Sequence, residues 1–165
     1  MEAGFIDVTK AVVSDAVDKY SGVLLRIAFF HTRNKADAED IVQDAFLSML
    51  KKPSFESEEH LKKWLIKVAI NKAKDLLKSA ARRKSVPLDE AAIAYYGFDG
   101  TNTAIMEAVA GLKPIDKNII FLYYFEGYSA KETADIIGKR ENTVHARLSR
   151  AREKLKIILQ ERRYG

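Results

Sequence analysis

Residues 127–155 read GYSAKETADIIGKRENTVHARLSRAREKL and place a helix start, a helix stop and a second, basic helix in quick succession. Ser129 and Glu132 stand three residues apart. At that spacing a serine hydroxyl accepts from the Glu132 amide while the carboxylate reaches back to the Ser129 amide. Gly138 is expected to end this short helix, because glycine takes up the left-handed conformation at a helix terminus without steric cost. After a tight turn, a final helix is expected from Asn142 toward Gln160. At 100° per residue Val144, Leu148, Ala151 and Leu155 share one stripe facing a core. The opposite face presents Asn142, His145, Ala146, Ser149, Arg150 and Glu153, with Arg147 and Arg152 on its flanks. Helix, glycine turn and basic helix form a helix-turn-helix signature. Small residues beside a protruding Arg150 suit a DNA major groove, where close approach needs low bulk and a guanidinium matches guanine bidentately. An ordinary basic C-terminal helix is the competing reading of the same residues.

Toward the N-terminus the helical pattern continues. A second helical unit is expected to begin near Ala104, with Leu112, Ile115, Ile119, Ile120, Leu122, Tyr123 and Phe125 as core candidates and Gly127 ending the run. Residues 85–103, SVPLDEAAIAYYGFDGTNT, have weak periodicity and no basic residue, and read as a linker. Fully extended at ~3.4 Å per residue it reaches ~65 Å, about 19 base pairs of duplex. Two readings of it stand: a flexible connector, favoured by Gly97 and Gly100, or a segment whose Ile93, Tyr95, Tyr96 and Phe98 pack between the domains. Before it, three helices are expected: Thr9–His31, a second capped by Asn34 and ending before Pro53, and a third from a Ser57 cap to about Arg83. Alternating apolar runs bounded by turn signals are missing, so the fold is predicted to be all-α, two small helical domains (1–84 and 104–165) joined by the linker.

The chain has 165 residues, 28 Lys and Arg against 23 Asp and Glu, 47% hydrophobic residues and no cysteine. The absence of cysteine excludes disulfides, thiolate zinc sites and cysteine nucleophiles, and His31, His60 and His145 are too scattered to form a ligand cluster. No Gly-rich phosphate loop, Walker lysine or G-x-S-x-G is present, so no catalytic residue, no metal and no cofactor is expected. The longest apolar run, Ile119–Phe125, falls far short of the ~20 residues of a membrane span, and the N-terminus has no basic head followed by an apolar stretch. A non-enzymatic, cytoplasmic protein without membrane insertion is expected.

Charge is strongly segregated. Residues 61–84 carry 9 basic groups and 1 acidic one, and residues 129–165 carry 10 and 5. Two separated basic clusters suit two contacts on one long polyanion, although two solvated helix faces would look alike. On the third helix Lys63, Lys67, Lys74 and Lys78 share a sector with Asn71, while Trp64 and Arg82 stand at its edge. Such a stripe can follow a sugar-phosphate backbone while the amide meets unpaired bases; Trp64 is expected in the core. The second helix differs in sign, with Ile41, Val42, Ala45, Phe46 and Met49 buried and Asp40, Gln43, Asp44 and Leu47 outward. A leucine among carboxylates fits a protein-binding hot spot, or a surface covered by a neighbouring segment.

Three stretches in order, AEDIVQDAFLSMLK (38–51), HLKKWLIKVAINKAKDLLKSAARRK (60–84) and 127–155, resemble regions 2.2, 2.3–2.4 and 4.2 of bacterial RNA polymerase sigma factors of the small extracytoplasmic-function (ECF) group. The resemblance covers about residues 10–84 and 104–160. It implies an alternative sigma factor that binds core RNA polymerase (β′ and β subunits), with the second helix docking on the β′ clamp coiled coil. It further implies that Asn71 and the loop Pro53–His60, Phe55 included, read the non-template strand of the minus-ten element. His145, Ala146, Ser149 and Arg150 then face the minus-thirty-five element of promoter DNA, and an anti-sigma factor is an expected partner. Arg140 stands where the family commonly has a serine-like cap, and His145–Ala146 replaces a basic–serine pair, which leaves the promoter sequence open. A stand-alone helix-turn-helix regulator is the alternative from another class; binding to core polymerase separates the two.

Overall fold

The structure is a computed structural model that describes residues 4–79 and 103–164. The chain divides into two compact units, Met1–Val86 and Pro87–Gly165. In the first, α1 (Lys10–Thr32), α2 (Lys35–Met49) and α3 (Glu58–Ser79) pack mutually. Each start has a local chemical cause. The Thr9 hydroxyl accepts from the Val12 amide, the Asn34 side chain from the Asp37 amide, and Ser57 Oγ from the His60 amide at 3.1 Å. Between the helices Leu24, Ile27, Leu65 and Ile66 are wholly buried, each stabilising the unit by roughly 1.5–3 kcal/mol. Tyr20 ties α1 to the first turn of α3 by donating to Glu58 Oε2 at 2.6 Å, and burial together with that carboxylate pushes the phenol pKa up, so the donor proton stays.

Sequence patterning missed one feature of this unit. A two-stranded antiparallel sheet pairs β1 (Ile6–Asp7) with β2 (Ser54–Phe55), joining the N-terminal segment to the loop between α2 and α3. The expected end of the third helix at Arg83, and all of the expected linker except Thr103, lie outside the described residues.

In the second unit the run expected from Ala104 to Gly127 is broken. It consists of α4 (Thr103–Ala110), α5 (Pro114–Ile120) and a π-helical turn, Phe121–Phe125. Pro114 sits at the first helical position, where its missing N–H costs nothing, and Asp116 lies near the positive end of the helix dipole. The Glu126 amide reaches the Phe121 carbonyl at 3.0 Å, the i→i−5 bond of the wider turn. There follow α6 (Ala130–Ile137) and α7 (Glu141–Tyr164), which packs against α4, α5 and α6. The Ser129–Glu132 capping box forms as expected, and Gly138 closes α6 at φ 70°. Helix α7 runs on to Tyr164, four residues past the expected Gln160.

The architecture is all-α apart from that small sheet, and the second unit contains the helix-turn-helix. At its centre Thr133 is fully buried and its hydroxyl has no hydrogen-bond partner among the described residues. Thr133→Val keeps the shape and removes the unsatisfied group, so it is expected to stabilise this unit by about 1 kcal/mol and raise its thermal midpoint. An unchanged or lowered midpoint in a melting experiment would show that the hydroxyl is satisfied.

Candidate nucleic-acid and polymerase interfaces

Helix α7 presents the face expected of a recognition helix. Val144, Leu148 and Ala151 are buried and Leu155 half-buried, while Asn142, His145, Ala146, Ser149 and Arg150 are exposed. His145 is not wholly available, because its Nε2 lies 3.4 Å from Glu141 Oε1 one turn earlier. The two flanking arginines differ. Arg147 is half-buried, and its guanidinium donates to Asp116 Oδ1 at 3.1 Å, which fastens α7 to α5 rather than leaving it for a phosphate. Arg152 is exposed and rests on the tyrosines that the π turn brings out: its Nε donates to the Tyr124 hydroxyl, and its guanidinium carbon lies 5.5 Å from the Tyr124 ring centroid. The bond to Tyr124 raises the Arg152 pKa further, and the tyrosines hold a long side chain at the edge of the recognition face.

The basic stripe on α3 is built as its spacing implies. Lys67, Asn71, Lys74 and Lys78 are all exposed, at intervals of four, three and four residues along one face, and none has an internal partner among the described residues. Lys63, at the buried end of the stripe, is half-buried and leans toward Glu59 at 3.9 Å. Phe55 departs from expectation. It is only 1% exposed, packed edge-on against Trp64 with ring centroids 5.2 Å apart and beside His60 at 5.9 Å. Lys52 Nζ lies 5.7 Å from the Phe55 ring centroid and 5.9 Å from that of Trp64. Packed on these sides, Phe55 supports the loop from beneath instead of offering a stacking face. Its exposed neighbours are Pro53, Glu56, Ser57 and His60.

On α2, Asp40, Gln43 and Asp44 are exposed, and Leu47 is 51% exposed. Leu47 is one wall of a groove of about 390 Å³ between α1 and α2, lined by Val13, Val17, Leu25, Val42, Phe46 and Leu50 with Glu39 and Gln43 among its polar lining residues. Val17 and Leu50 are 38% and 57% exposed. The α1 half of this surface was not legible from the sequence, because the α1 valines fit a core stripe equally well. Only the adjacency of α2 shows that one edge of the stripe is left open.

Comparison with known proteins assigns both units to known families. The Sigma-70 region 2 family matches residues 16–83, and the Sigma-70, region 4 family matches residues 102–155. The chain is 30% identical over 156 residues to the RNA polymerase sigma factor SigV of Bacillus subtilis (strain 168), spanning 92% of this chain and 93% of that protein. It is 31% identical over 160 residues to the ECF RNA polymerase sigma factor SigL of Mycobacterium tuberculosis (strain H37Rv), with 92% and 90% covered. The fold is shared with the sigma factor RpoE of Bartonella quintana, solved in complex with the anti-sigma factor NepR, at a TM-score of 0.72 and 23% identity over 92% of this chain and 98% of that one. It is also shared with CnrH, solved in complex with the cytosolic domain of CnrY, at a TM-score of 0.67 and 22% identity over 93% and 90%. The SigV and SigL relatives are RNA polymerase sigma factors, and no described helix is long and apolar enough to cross a membrane. With both sigma regions matched in order and relatives covered almost end to end, the chain belongs to the RNA polymerase sigma factors, in the extracytoplasmic-function group.

Proposed function

We propose that the three surfaces divide the work of initiation. The groove between α1 and α2, with its acidic rim, binds core RNA polymerase; α7 reads the minus-thirty-five element as duplex; and the α3 stripe with the loop 53–60 captures non-template bases of the minus-ten element once it opens. The observation that carries this assignment is the α3 stripe. Four consecutive outward positions, Lys67, Asn71, Lys74 and Lys78, are three cations without internal partners and one amide, which can follow phosphates and distinguish a base edge at once. Holding bases out of the stack offsets the cost of unpairing them, so binding and opening become one event. The acidic rim of α2 would repel phosphates and so suits a protein partner. The complexes of RpoE with NepR and of CnrH with CnrY support a protein antagonist for this chain as well.

Holoenzyme binding measured across a randomised promoter library tests the α3 assignment. Lys67→Ala and Lys74→Ala are each expected to weaken all promoters alike and to reduce the salt slope by about one, since each removes one phosphate contact. Asn71→Ala is expected to relax discrimination at a single base by about tenfold while leaving the salt slope in place. An equal loss on every promoter for Asn71→Ala would remove its role as a reader.

A further inference from the structure

The loop between α2 and α3 is short, polar at its surface and interrupted by Pro53, yet it is held in one register. Strand β1 supplies the constraint. Ile6 lies opposite Phe55 and Asp7 opposite Ser54, and the Val8 amide donates to the Pro53 carbonyl at 3.0 Å. Proline has no N–H to return, so the ladder stops there. At the next residue Thr9 caps α1, which anchors the strand to the helical body. A two-residue pairing is marginal alone; here one end is fixed by α1 and the other by the burial of Phe55 against Trp64. Alternate side chains of a strand face opposite ways, so a slip by one residue would bring Ser54 or Glu56 into the Phe55 site. The pairing therefore decides which loop residues face out.

We propose that the N-terminal strand Ile6–Asp7, with Val8, is a positioning element for minus-ten reading: it presets the register of the 53–57 loop before any base arrives. The proposal rests on the assignment of that loop and Asn71 to the minus-ten strand. A loop ordered in advance loses less conformational freedom on binding, and so binds more tightly for the same contacts. The strand itself need touch neither DNA nor polymerase.

The test uses the full chain with core polymerase and a single-stranded oligonucleotide carrying the non-template strand of a promoter selected for the wild-type protein. Val8→Pro deletes the N–H that bonds Pro53, Val8→Ala keeps it, and removal of residues 2–8 deletes the strand. Trp64, the only tryptophan in the chain, reports on the Phe55 contact by its emission in the free protein. Val8→Pro is expected to shift that emission and weaken single-strand capture about fivefold, the worth of one backbone hydrogen bond, and the deletion to do so at least as strongly. Val8→Ala should match wild type, and affinities for core polymerase and for minus-thirty-five duplex should not move in any variant. Wild-type capture by the deletion variant would overturn the proposal. So would a parallel loss of core binding, which would make the strand a general support of the unit. Failure of the wild-type holoenzyme to capture the strand at all would instead overturn the loop assignment, and the proposal with it.

Discussion

Leu47→Ala combined with Asp44→Lys is expected to lower the affinity for core RNA polymerase by about 100-fold and to leave helix content and thermal midpoint nearly unchanged. Two physical terms add. Leu47 stands half out of the α1–α2 groove, beside Val17 and Leu50, in the position of an apolar anchor that loses its remaining contact with water when a partner covers it. Hot spots of this type cost about 2 kcal/mol or more when truncated. Asp44, one turn earlier on the same face, contributes the sign of the rim, and reversing it removes the complementarity by which an acidic rim would select a basic partner surface. Stability is spared because both side chains are exposed, whereas their neighbours Ala45, Phe46 and Met49 carry the packing of α2. Titration of labelled core polymerase, read beside circular dichroism, is the measurement. Unaltered affinity would remove the groove from the polymerase interface.

What the sequence disclosed and what it hid follow from the range of the interactions involved. Asn34, Ser57, the Ser129–Glu132 box and Gly138 act on amides within four or five residues, so spacing alone locates the helix ends they make. The outward face of α7 and the cationic stripe of α3 were equally legible, because a regular helix turns spacing into direction. Pro114 carried a local signal that the apolar periodicity from Leu112 through Ile120 overrode; proline at a first helical position starts a helix, and here it separates two. The wider turn at Phe121–Phe125 has no such marker, since FLYYF suits an ordinary helix just as well. Long-range partners were out of reach altogether. Nothing near Phe55 says that Ile6 lies opposite it, and two residues are too few to alternate visibly. Phe55, which the resemblance assigned to base reading, has its ring in the core, and nothing local in α1 marks Val17 as the lip of a groove.

The two arginines on either side of Leu148 should separate by the same logic. Arg150→Ala is expected to lower affinity for minus-thirty-five duplex by roughly 10- to 100-fold, with the loss concentrated on sequences that keep guanine at one position, because a bidentate arginine–guanine pair is worth about 1–3 kcal/mol. Its side chain is exposed and has no internal partner among the described residues, so unfolding should not change. Arg147→Ala should do the reverse. Its partner Asp116 lies 31 residues earlier, the two side chains are 30% and 17% exposed, and the bond joins α7 to α5. Losing it is expected to cost about 1 kcal/mol and several degrees in midpoint, with base preference kept. Asp116→Asn, with Arg147 kept, retains an oxygen to accept from the guanidinium and should lose only part as much. Binding across single-base variants of the duplex, measured together with thermal unfolding of each protein, gives the answer. If Arg147→Ala relaxed base preference and left the midpoint in place, the Asp116 pair would have to open on DNA, and Arg147 would join Arg150 as a contact.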